Sequence, residues 1–253
     1  MIAIEERVEH LLLIFEILLK GDSQDKLFSE NRELLENCSP TDVSSLVDRL
    51  VSMETPIEKI KTGIDRLMAI LRPTIENHPY IPPSSETYLG CLLENNRILD
   101  EKLGAIQPLL KQLNEFPENE NNRTSLSAAI IELSKYRNYY EIKESILFPE
   151  IRRHISKSGC LTVMTSYHKE IKTKLELVLH LLSSDNLDLA EFNKVVSGLL
   201  LVMYEVKFRE ERILYIIVQD SISETVLNSL YDESMEIGFP YFQPNLEDKK
   251  ENE

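Results

Sequence analysis

The chain has 253 residues, and 43 acidic against 28 basic side chains give a formal charge of −15, which repels a nucleic-acid backbone or an anionic membrane surface. Seven glycines, eleven prolines and no tryptophan, among abundant Leu, Ile, Glu, Lys and Asn, favour an all-α protein over a sheet protein with its Gly-rich turns. Cys38, Cys91 and Cys160 are odd in number and lack any C-x-x-C spacing, which speaks against a disulfide scaffold, a zinc knuckle or a redox pair and fits a reducing cytoplasm.

Met1 to Lys20 is apolar in its second half, but Glu5, Glu6, Glu9, His10 and Glu16 interrupt it, so neither a signal peptide nor a membrane span is expected there. Helical periodicity predicts helices over 2–20, 24–36, 40–53 and 56–77, with Gly21 as a left-handed stop for the first. Ser39-Pro40-Thr41-Asp42 and Thr55-Pro56-Ile57-Glu58 each offer a capping hydroxyl, a proline for the first helical position and a carboxylate for the positive end of the helix dipole. Residues 1–77 are therefore expected to form a small N-terminal helical domain. The stretch 78–84 holds three prolines and reads as an extended linker.

Beyond the linker, amphipathic segments over 85–114, 123–156, 160–183 and 188–220 are separated by short polar stretches. Four long helices with short connections bury their apolar stripes most simply as an antiparallel up-down four-helix bundle, expected over 85–220. A C-terminal helix over 222–236 and a connector tail complete the expected segment 221–253. The tail has an aromatic part, Phe239-Pro240-Tyr241-Phe242, and ends in a charged stretch.

No phosphate-binding Gly-rich loop, nucleophile elbow or H-E-x-x-H motif occurs, and no catalytic residue is assigned. With histidines only at 10, 78, 154, 168 and 180, a metal site would have to lean on carboxylates. Lys143-Glu144-Ser145-Ile146-Leu147 and Glu210-Glu211-Arg212-Ile213-Leu214 each place carboxylates just before an apolar stripe, so Glu144 and Glu211 are candidates to point inward. Interior carboxylates are costly unless a cation or a metal compensates them.

Leu92-Leu93-Glu94-Asn95, Lys143 through Pro149, Val163-Met164 through Tyr167-His168-Lys169-Glu170, and Phe208 through Leu214 resemble, in order and spacing, the hemerythrin-like cation-binding domains of bacterial and archaeal signalling proteins. Residues 1–77 resemble the small helical domain that precedes this bundle, and Ile237-Gly238-Phe239-Pro240 resembles its connector to a following sensor domain. The resemblance implies a cytoplasmic sensory or regulatory module with a protein partner or signalling domain, and a non-heme iron pair held by histidines and two carboxylates. His168 matches a family histidine and Glu211 a family carboxylate. Where further ligands stand in the family, this sequence has Leu89, Tyr139, Lys143 with Glu144 beside it, Lys172 and Val206.

The implied site is therefore a reduced one. His168, Glu144, Glu211 and Tyr139 would hold one non-heme iron or another divalent cation, or the site holds none. In the metal-free version Glu144 and Glu211 pair with the lysines, His168 and Tyr139 in a polar network that fixes helix register. Both versions expect Glu144, His168 and Glu211 to share one interior pocket. A metal-free helical adaptor, docking a partner through its N-terminal domain or its aromatic tail, is the alternative from another class. A di-metal oxidase or peroxidase is the third.

Overall fold

The computed structural model describes residues 4–21 and 29–243, and every regular element among them is helical. Helix α1 spans Ile4–Lys20, and Gly21 follows it at φ +90° as the predicted stop. The part of the predicted 24–36 helix that falls on 22–28 lies outside the described residues; the rest contains a short α2, Arg32–Glu36. Helix α3, Pro40–Ser52, begins with the predicted cap as a full capping box. Ser39 Oγ accepts the Asp42 N–H at 3.2 Å, and Asp42 Oδ2 accepts the Ser39 N–H at 2.9 Å. Asp42 is fully buried, and the Arg7 guanidinium donates to its other oxygen at 2.9 and 3.0 Å, which ties α1 to α3.

Helix α4, Ile57–Glu76, starts one residue later than expected. Pro56 is extended (φ −54°, ψ 132°) and serves as the cap residue instead of the first helical one. A Cβ on Gly63 would lie 2.1 Å from Phe15 Cε2, so glycine is what lets α1 and α4 approach. Leu11, Phe15, Leu46, Ile60, Leu67 and Leu71, each no more than 1% exposed, form the core between α1, α3 and α4. Burying a side chain of that size contributes about 1.5–3 kcal/mol.

After the predicted linker, α5 spans Tyr88–Glu115, capped by Thr87 accepting the Gly90 N–H. The predicted 123–156 helix is instead α6, Glu120–Leu133, and α7, Tyr136–Ile142, which continues through a π-helical turn, Lys143–Leu147, into α8, Phe148–His154. At the interruption, 134–135, the Ser134 hydroxyl donates back to the Ile131 carbonyl. Helix α9 is Gly159–Ser183. Helix α10, Leu189–Arg209, passes through a second π turn, Glu210–Leu214, into α11, Tyr215–Ser221. The predicted 222–236 helix resolves into α12, Glu224–Asn228, and α13, Tyr231–Ile237.

The chain divides into two compact units that are discontinuous in sequence. The first comprises Met1–Ile81, Ile151–Ser166 and Phe208–Ile222; the second comprises Pro82–Glu150, Tyr167–Lys207 and Ser223–Glu253. The cut between Ile81 and Pro82 falls within the proline-rich linker, but the first unit also takes two pieces of the later helices, so it is larger than the 1–77 domain expected from the sequence. No helix among the described residues is long and apolar enough to cross a membrane.

Candidate functional site

The site is built on the π turn Lys143–Leu147. A π turn accommodates one extra residue in a helix, so the side chains that follow shift out of the ordinary 3.6-residue register. Lys143 is fully buried at the start of this turn, with its ammonium 3.4 Å from the centroid of the Tyr139 ring and 5.3 Å from that of Tyr140. A desolvated contact of this kind contributes about 2 kcal/mol. Tyr139 is also fully buried, and its hydroxyl lies 2.7 Å from the Leu92 carbonyl and 2.9 Å from Asn96 Oδ1, so its one proton is committed to α5.

Glu144 is the next residue, and both of its oxygens face helix α9. Oε1 is 2.9 Å from His168 Nδ1, and Oε2 is 3.2 Å from Lys172 Nζ. An ionised carboxylate has no proton to give, so Nδ1 carries the hydrogen of the shorter bond. His168 is fully buried and its ring stacks on Tyr140 at 4.5 Å and on Phe148 at 5.8 Å. These stacks fix the imidazole plane, and Glu144 fixes where its Nδ1 side faces. Burial pushes the Glu144 carboxyl up, but the hydrogen bond and charge of His168, joined by Lys172, outweigh it and hold the group below its ordinary value.

Two of the predicted ligands meet within the second unit. Glu144 and His168 are paired, across 24 positions of sequence. Tyr139 sits beside Lys143 on the same helix, with its hydroxyl turned to α5. Glu211 belongs to the other unit, half-buried in the π turn Glu210–Leu214, where burial and its charge raise Tyr80 to about 12 against the opposing effect of Arg212. Within the second unit, the expected pocket contains the pairing of Glu144 with His168.

The residues present fit a divalent cation poorly. Among the described residues no group of three or more His, Cys, Asp or Glu side chains is arranged to hold a metal ion. The Lys143 ammonium lies buried one position from Glu144, and Lys172 already neutralises the carboxylate that would be a ligand. A dication there would meet like charge at low dielectric.

The second unit also contains a buried polar pair, of which only Asn95 belongs to a motif noted in the sequence. Asn95 and Asn96, both fully buried, stand between Leu92 and Leu99 on the inner side of α5. Asparagine is a poor helix former and a costly interior residue, so a pair of them inside an apolar stripe is the signal that could have marked a structural task. The aromatic tail, expected to present exposed rings to a partner, is folded against this same region: Phe239 is 5% exposed. No family model matches the chain, and neither a curated protein nor a solved structure is detectably similar to it.

Proposed function

We propose that the chain is a sensory or regulatory module descended from a hemerythrin-like four-helix bundle, in which an ionic network of Glu144, His168 and Lys172 stands where the ancestral bundle held iron. The observation that carries this reading is the engagement of both Glu144 oxygens by His168 and Lys172, beside a buried Lys143 ammonium. Cationic side chains supply the charge that a metal would have supplied. The network joins the π turn at Lys143–Leu147 to helix α9, so protonation of Glu144 releases both links together and changes how α9 is held. A protein partner or a linked signalling domain is the recipient of that change in this reading.

The reading is tested with protein purified without oxygen, by elemental analysis and by melting in chelator and in added iron(II), manganese(II) or zinc(II). The expected result is less than roughly 0.1 metal ion per chain and an unchanged melting midpoint. A genuine site at one hundred times its dissociation constant would add about 2.7 kcal/mol, a shift of several degrees. A stoichiometric metal that His168→Ala removes would contradict the proposal.

A further inference from the structure

Residues 238–243, the described part of the segment after α13, form no helix or strand, yet their main chain is read closely by one side chain. Gly238, at φ +89°, ends α13 and turns the chain onto the surface formed by α5, α6 and α7. Asn95 Oδ1 then accepts the N–H groups of Tyr241 at 3.3 Å and Phe242 at 3.1 Å, while Nδ2 donates to the Phe242 carbonyl at 2.9 Å and to the Cys91 carbonyl at 2.9 Å. An extended segment lying on helices has no neighbouring strand to satisfy its peptide groups. A buried amide that both accepts from and donates to one residue, here Phe242, replaces that strand.

Side chains are read as well. The Phe239 ring meets Tyr88 edge-on at 6.5 Å. Tyr241 lies against Tyr136 at 5.6 Å, has the Lys102 and Lys135 ammonium groups 4.7 and 5.5 Å from its ring centroid, and donates its hydroxyl to the Glu132 carbonyl at 2.6 Å. Beneath the segment the Cys91 thiol, fully buried, points at the Phe242 carbonyl at 3.7 Å. Phe239 is buried whereas Tyr241 and Phe242 remain partly exposed, and the segment joins the fold on one side through Gly238. Segments of this kind open locally at a small fraction of the cost of global unfolding.

We propose that this surface is a recognition cleft for an extended peptide with aromatic residues at its first, third and fourth positions and proline at the second, and that its occupant is the chain's own Phe239–Phe242, docked in cis as a releasable strap. Asn95 is the main-chain reader. The Lys102–Lys135 pair with Glu132 is the pocket for the third residue, and Cys91 is the group the strap covers. Burial raises the Cys91 thiol to about 12, against the Asn95 hydrogen bond, so the closed state keeps it unreactive and opening restores ordinary reactivity.

The test uses the full chain with Cys38→Ser and Cys160→Ser, leaving Cys91 as the one thiol, and follows its reaction with an aromatic disulfide at neutral pH. Asn95→Ala, or Tyr241→Ala if the buried change impairs folding, is expected to speed labelling by tenfold or more while the helical circular-dichroism signal and melting midpoint stay near those of the parent. Excess synthetic peptide Gly-Phe-Pro-Tyr-Phe-Gln is expected to slow the Tyr241→Ala variant again by refilling the cleft. A labelling rate that rises only in proportion to global unfolding in urea, or a peptide that gives no protection, would overturn the proposal.

Discussion

Glu144 carries two opposed influences, and the balance between them sets a pH dependence. Burial favours its neutral form, while His168 and Lys172 favour the carboxylate and prevail. A carboxyl whose folded pKa lies below its unfolded value binds fewer protons in the native state, so the stability it contributes is fully present above the ordinary glutamate value of 4.5 and is lost as pH falls through the lower, folded value. Glu144→Gln should therefore cost about 1.5–3 kcal/mol at neutral pH and flatten the acid limb of a urea-midpoint-against-pH curve. A variant that keeps the parental acid limb would show that the carboxylate is not part of a folded-state ionic link. At this scale Glu144 was singled out as a carboxylate placed just before an apolar stripe, and His168 through the resemblance alone. The lysines were visible as the wrong residues at ligand positions. Tyr139 was identified as a site residue, but its hydroxyl serves α5. Nothing in a linear pattern says which way a hydroxyl turns. Asn95 was hidden for a related reason, since its hydrogen-bond partners lie 146 and 147 positions away.

Both segments singled out for their carboxylates, Lys143–Leu147 and Glu210–Leu214, turn out to be π-helical, closed by the Phe148 N–H on the Lys143 carbonyl and the Tyr215 N–H on the Glu210 carbonyl. Each reads x-Glu-x-Ile-Leu, and each continues directly from an α-helix. A π turn is an α-helix with one residue too many, so removing an exposed residue from it restores regular geometry without rotating the flanks. Deleting Ser145, which is exposed, should leave the helical signal intact and lower the melting midpoint by a few degrees, whereas deleting exposed Thr173 from the regular helix α9 turns every later side chain by about 100° and should abolish cooperative melting. Equal damage from the two deletions would argue against a tolerated extra residue. The start of α3 was legible because Ser39-Pro40-Thr41-Asp42 encodes its cap locally. The break at 134–135 and the π turns were not, because the width of an apolar stripe absorbs a one-residue shift in its period.

At the scale of the molecule, the helical content of the described residues followed from composition, which acts locally. The division into two units did not, because 151–166 and 208–222 join the first unit through contacts with residues far away in sequence. Function sits on the same footing. The proposal rests on one piece of geometry, a carboxylate bound on both oxygens by its own chain. The most direct test of that claim is a double-mutant cycle of Glu144→Gln and Lys172→Met, measured by urea unfolding in chelator. The network predicts a coupling energy of about 1 kcal/mol that added divalent metal leaves unchanged. Substitutions that add within roughly 0.3 kcal/mol in chelator, together with coupling that appears only when metal is supplied, would contradict it.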